Sequence, residues 1–151
     1  MEKKDLKPAG VFKYFEEICQ VPRPSKKEEK MIAYLKAFGA KHNLETKVDE
    51  AGNVLIKKPA TPGKENLQTV VLQSHIDMVC EKNNDVQHDF LTDPIETEID
   101  GEWLKAKGTT LGADNGIGVA TELAILADDS IEHGPIECLF TVDEETGLTG
   151  A

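Results

Sequence analysis

Three short clusters in this chain carry side chains able to bind a metal or activate water: Ser74-His75-Ile76-Asp77, Asp114, and Asp143-Glu144-Glu145. His75 and Asp77 are two apart, so in an extended segment both point to the same side. A histidine that ligates a metal through one nitrogen needs its surroundings fixed by an outer carboxylate, and Asp77 is placed to orient the site in this way. The plain alternative is a strand-end histidine hydrogen-bonded to its neighbour. Asp114 follows Gly-Thr-Thr-Leu-Gly-Ala and precedes a helical pattern. It reads either as a helix N-cap or as a short carboxylate bridging two metal ions, with the glycines letting the backbone approach closely. Glu144 and Glu145 follow an apolar run, where two carboxylates are costly unless something positive joins them. Adjacent side chains diverge, so one can be a ligand while the other faces a water. That is the division of labour of a hydrolytic metal site: a Lewis acid, and a base that takes the water's proton. A solvated acidic turn is the bland reading of this pair.

Ligand counting adds to this. If two ions share Asp114 and a water, His75 gives a third contact to one ion and Glu145 to the other. Zinc takes about four or five ligands, so each ion lacks at least one protein ligand. The other histidines are weaker candidates for the gap. His133 precedes the strand that leads to Glu144 by a span of roughly 35 Å if extended. His42 sits at a helix end and is expected to be exposed, and His88 lies in a polar stretch that reads as surface loop. The missing ligands are therefore expected beyond Ala151, and the chain reads as a piece of a larger enzyme.

The elements that must position these residues follow from periodicity. Residues 8–20 place Val11, Phe12, Phe15, Ile18 and Cys19 on one helical face. Pro22 and Pro24 break the chain, and Ser25 with Glu28 three positions on forms a capping-box pattern for a helix carrying Met31, Ile32, Leu35 and Phe38 inward, fading near Gly39. Residues 44–48 and 54–57 alternate around Gly52-Asn53, predicting a hairpin. Thr69-Val70-Val71-Leu72 predicts a strand buried on both faces, and residues 135–142 a second buried strand. A polar stretch from Glu81 to about Asp100 precedes a short strand at Trp103-Leu104-Lys105-Ala106 and a glycine-rich turn at 108–112. Residues 115–127 predict a helix with Ile117, Ala120, Leu123, Ala124 and Ala127 on its buried side. Strands alternating with helices predict an α/β fold, a mostly parallel sheet sandwiched by helices. Both ligand clusters then sit at the carboxyl ends of strands, where ligands collect in open α/β sheets.

The chain has 151 residues, enough for one domain with a sizeable core, and a net charge of −11. That charge argues against binding nucleic acid or an anionic membrane surface. The N-terminal segment has no apolar core of a secretory signal, and no apolar run reaches membrane-span length. Cys19, Cys80 and Cys138 are odd in number and widely spaced, reading as reduced thiols of a cytoplasmic protein. A nucleotide-binding domain using Gly112, Gly116 and Gly118 is disfavoured, because the spacing is not G-x-G-x-x-G and Asp114 would face the phosphate.

The segments VLQSHIDMVCEKN, HDFLTDPIE, DGEWLKAKGTTLGADNGIGVA and FTVDEETGLTGA, together with the N-terminal helices and GNVLIKK, resemble the M20 metallopeptidases. The resemblance is greatest to their branch of cytosolic non-specific (aminoacyl-histidine, Xaa-His) dipeptidases. It covers nearly the whole chain, and GTTLGADNGIG followed by DEETG at this spacing is highly specific. It implies a zinc-peptidase-like catalytic domain of which residues 1–151 form the N-terminal portion. It implies two divalent ions, zinc first with cobalt or manganese as alternatives, and a dipeptide substrate. His75 would ligate one metal, Asp77 orient the site, Asp114 bridge the ions across a cis peptide to Asn115, Glu144 act as general base and Glu145 ligate the second metal. The family's further acidic ligand, its late histidine and its lid domain, used for dimerisation, have no counterpart in these residues. The expectation is thus a metal-dependent dipeptidase as the parent, with a non-catalytic fragment binding one metal weakly or none as the alternative for this chain alone.

Overall fold

The computed structural model describes residues 2–151. After a single 3₁₀ turn at Lys3–Asp5 and a cis Lys7–Pro8 bond, helix α1 (Ala9–Cys19) buries Tyr14, Phe15, Ile18 and Cys19. Helix α2 (Glu29–Lys41) buries Met31, Leu35, Phe38 and Gly39 and runs two residues past the expected fade point. Tyr14 and Phe38 meet edge to face, with ring centroids 5.6 Å apart. Gly39 is required here, since a Cβ would overlap Thr46 Oγ1 in the strand below.

The hairpin forms as predicted, from β1 (Glu45–Val48) and β2 (Val54–Lys58), and joins β3 (Val70–His75) and β6 (Ile136–Thr141) in a four-stranded sheet of order β1-β2-β6-β3. The α/β class holds, with α2 against β1 and β2, and helix α3 (Ala113–Ala127) against α1 and β3. The strand directions correct the expectation of a mostly parallel sheet. Only the β3–β6 ladder is parallel, whereas β1–β2 and β2–β6 are antiparallel. The reason is the hairpin, which reverses direction and then lays its second strand on β6.

A second correction concerns β3. Val70 and Val71 are 53% and 57% exposed, because β3 is an edge strand of this sheet and only Ser74 and His75 at its far end are buried. The charged stretch hides a strand that periodicity missed: β4 (Thr97–Asp100) pairs with β5 (Trp103–Ala106) in a separate antiparallel ribbon. On α3, Ala120 and Leu123 are buried as expected and Ala124 and Ala127 are half-buried, but the rest of the buried face differs. Ile117 is 40% exposed, and Gly116, Val119, Ala120, Glu122, Leu123 and Leu126 point inward. The cysteines are free, with Cys19 and Cys138 in the core. Among the described residues, no helix is long and apolar enough to cross a membrane.

Two buried polar groups lie where α3 meets the sheet. Lys58, at the end of β2, donates to the carbonyls of Ile125 and Asp128 at 3.1 and 2.7 Å, satisfying acceptors at the C-terminus of α3. Glu122 instead turns into the core, where its Oε2 and Ser74 Oγ are both buried without a hydrogen-bond partner among the described residues. Burial is the dominant cause and pushes the Glu122 carboxyl up to about 7. The fold therefore holds a proton that the unfolded chain, with an ordinary value of 4.5, releases. This group's stabilisation is full below pH 4.5, declines as pH rises toward about 7, and stays at its lower level above. Glu122→Gln is expected to raise Tm at pH 8 by roughly 3–8 °C and to change it little at pH 4.5. A variant with the same Tm shift at both values, read by thermal denaturation, would contradict the buried-proton account.

Candidate metal centre

Because β3 and β6 are parallel and in register, with His75 opposite Thr141, their carboxyl ends open on the same side. The chain after β6 turns sharply at Asp143, whose φ of 50° lies in the left-handed region. That conformation is held from several directions. The Asp143 amide donates to Glu28 Oε1 at 2.9 Å, and the hydroxyls of Thr146 and Thr149 donate to the Asp143 carboxylate. The turn aims two successive amides at one group: Glu144 N–H and Glu145 N–H donate to Asp77 Oδ1 and Oδ2 at 3.0 and 3.1 Å.

Asp77 is fully buried and also accepts from Ser25 Oγ at 2.7 Å. Burial alone would raise its carboxyl, but the Ser25 hydroxyl, the two amides and His75 outweigh that and hold it below the ordinary value of 3.8. His75 Nδ1 lies 3.2 Å from both Asp77 Oδ1 and the Asp77 carbonyl. This fixes the ring so that Nε2 faces Asp114 Oδ1 at 3.0 Å and Glu144 Oε2 at 3.7 Å. Asp77 thus stands behind His75, on the side of the ring away from Asp114 and Glu144.

Asp114 reaches His75 through a break in α3. Gly112 takes a φ of 69°, Asp114 and Asn115 are non-helical, and the peptide between them is cis. The Asp114 side chain is 87% exposed, and His75 is its ion-pair partner among the described residues. Its alternative reading as a helix N-cap is not realised, since Gly112 holds that position.

One ligand atom each from His75, Asp114 and Glu145 lies within 4.8 Å of the others. An imidazole nitrogen with two carboxylate oxygens is a donor set that suits zinc, cobalt or manganese. Burial raises the Glu145 carboxyl, opposed by His75 and reinforced by Asp114, Glu144 and Asp77. A divalent cation is the group that relieves such mutual repulsion.

A second acidic group, Glu28, Asp77 and Asp143, is equally compact. Its oxygens are already engaged by Ser25, Thr146, Thr149 and the amides of residues 143–145. It is scaffolding for the first group.

Of the four histidines only His75 joins a ligand cluster among the described residues. His42 is half-buried against Phe38, with ring centroids 4.4 Å apart, and not exposed as expected. His88 packs on Phe90 in its loop, and His133 bonds to Thr61 at the start of β6.

The capping-box pattern of Ser25 and Glu28 is not realised as a helix cap. The helix begins at Glu29 without a side-chain cap, leaving Ser25 to bind Asp77 and Glu28 to bind Asp143. The signal available in the sequence was Pro22 and Pro24, which favour an extended segment. That segment runs parallel beside the His75 loop, bridging Pro24 to Met78.

The model of Peptidase family M20/M25/M40 matches residues 71–151. The chain is 51% identical over 150 residues to the cytosol non-specific dipeptidase of Escherichia coli (strain K12), a match covering 99% of this chain and 31% of that protein. It is 55% identical to the aminoacylhistidine dipeptidase of Vibrio alginolyticus. That crystal structure matches with a TM-score of 0.96 over 99% of this chain and 31% of its own. A tripeptidase of Staphylococcus aureus is 25% identical, with a TM-score of 0.75 over 93% of this chain and 38% of its own. The chain thus spans about a third of the length of the curated relatives it matches. The matched region holds His75, Asp77, Asp114, Glu144 and Glu145, and the chain belongs to peptidase family M20/M25/M40.

Proposed function

We propose that this chain is the N-terminal, metal-gathering part of a two-metal dipeptidase acting in the cytoplasm on dipeptides, Xaa-His dipeptides among them. The observation that carries this reading is the convergence on His75 Nε2 of Asp114 at 3.0 Å and Glu144 at 3.7 Å, with Glu145 completing the ligand cluster. The names of the Escherichia coli and Vibrio alginolyticus relatives supply the substrate class.

His75 and Asp114 would hold one ion and Asp114 and Glu145 a second, zinc being the first candidate and cobalt or manganese the others. When bound, the ions polarise the scissile carbonyl and make water a stronger acid. Asp77 keeps His75 Nδ1 occupied so that Nε2 stays available. Glu144 takes the proton of the attacking water and passes it to the leaving amine. Its backbone is pinned to Asp77 while its side chain remains partly exposed toward the open side, as a base that meets water must be. A homodimer of the full-length protein, formed through a lid domain, completes the proposal.

Glu144→Gln in the full-length protein is expected to lower dipeptide turnover by about 10²–10⁴-fold while metal content by elemental analysis stays at the wild-type level. Turnover near the wild-type rate would remove Glu144 from the role of base.

A second reading applies to the 151-residue chain by itself. The described residues bring together three ligand side chains, one of them 87% exposed, fewer than two ions need. The chain alone is then expected to retain at most one ion after gel filtration and to show no dipeptide hydrolysis. Two ions per chain together with turnover would overturn this second reading.

A further inference from the structure

Arg23 lies between Pro22 and Pro24 and is only 2% exposed. A guanidinium so deeply buried is expected to meet a carboxylate, yet Arg23 donates to main-chain carbonyls: Nη1 to Ile76 and Asp77 at 3.1 and 3.3 Å, Nη2 to Gly112 at 2.6 Å. The two sets of acceptors belong to different parts of the fold. Ile76 and Asp77 follow His75 at the end of β3, and Gly112 sits two residues before Asp114. The Arg23 carbonyl in turn accepts from Met78 N–H at 3.1 Å, so the segment is fixed along the same loop. Glycine is required where the fork arrives. A Cβ at Gly112 would come within 2.5 Å of Arg23 Nη2, and one at Gly116 within 2.7 Å. Part of the glycine pattern around Asp114 is therefore a cradle for this guanidinium.

We infer that Arg23 is a positioning residue of the metal centre: its fork ties the loop carrying His75 to the turn carrying Asp114 and so sets the separation of these two ligands. The inference rests on the reading of His75 and Asp114 as metal ligands. It is separable from a simple effect of charge, because the two act in opposite directions. A buried positive charge beside a cation site weakens cation binding, so removing it would tighten binding. Loss of the fork loosens the ligands and weakens it. Lysine keeps the charge on a single point and cannot span both sets of carbonyls.

The test is Co²⁺ titration of the metal-free full-length protein, followed by visible d–d absorption, for wild type, Arg23→Lys and Arg23→Met, with circular dichroism to establish that each is folded. Both variants are expected to bind Co²⁺ about 10–100-fold more weakly, with altered d–d band intensities. Wild-type affinity and spectrum in the folded variants, even with a lowered Tm, would overturn the inference, as would tighter binding by Arg23→Met or an unchanged Arg23→Lys. If Arg23→Met does not fold, Arg23→Lys decides alone. Absence of d–d bands in wild type would instead sink the metal reading, and this inference with it.

Discussion

The buried carboxylate of Asp77 organises the site and much of the fold around it. An unpaired ionised carboxylate with no solvent access is prohibitively costly, so it must collect donors from whatever the chain can bring. It collects them from two distant segments, the Ser25 hydroxyl before α2 and the Glu144 and Glu145 amides after β6, and from its near neighbour His75 at the end of β3. Each donor bond also fixes a geometry. Binding Nδ1 turns Nε2 of His75 outward, and binding two successive amides makes the glutamate side chains leave the turn toward the open side. The parallel β3–β6 pair makes this possible by ending both strands at one level.

Much of this was legible in the sequence because it is local. The helices at 9–19 and 29–41 and the hairpin declare themselves by period and turn chemistry. The strand ends are marked by charge following apolar runs, and His75, Asp77, Asp114, Glu144 and Glu145 were selected on residue type and spacing. What could not be read depends on partners far along the chain. Ser25 and Glu28 have the spacing of a capping box, and nothing within four residues distinguishes that from two donor–acceptor groups recruited by residues 77 and 143. The exposure of Val70 and Val71 depends on what lies beside β3, which an apolar run cannot reveal. The sequence of β4 is too charged to announce a strand, and the antiparallel seating of β2 on β6 is a tertiary choice. On α3, Ala120 and Leu123 face the core as expected, whereas Ile117 is 40% exposed and Val119, Glu122 and Leu126 share the buried face.

The net charge of −11 takes on a more specific meaning once the acids are sorted by what already satisfies them. Many are surface groups paired with lysines or solvent, as in Lys57–Glu137 and Lys105–Asp100. Glu122 is buried with little to offset its charge, and burial pushes its carboxyl up to about 7. Glu28, Asp77 and Asp143 are buried but filled by amides and hydroxyls, so their lone pairs are spoken for.

Asp114, Glu144 and Glu145 form the remaining class, and the distinction decides where a cation belongs. A metal ion needs oxygen lone pairs that the protein has oriented but not consumed. Proximity of acids alone does not provide them, since the compact group of Glu28, Asp77 and Asp143 would then serve equally well. Around His75 the protein commits its donors to an outer group: the amides of 144 and 145 and His75 Nδ1–H all donate to the Asp77 carboxylate. The carboxylates of Glu144 and Glu145 accept no hydrogen bond from the described residues apart from the 3.7 Å approach of Glu144 to His75. The Asp114 carboxylate has His75 alone. The arrangement converts hydrogen-bond donors, which are plentiful in a folded chain, into a fixed frame, and leaves negative charge facing one opening. A frame of donors already committed to Asp77 is therefore what separates a candidate metal centre from an acidic patch of the same composition.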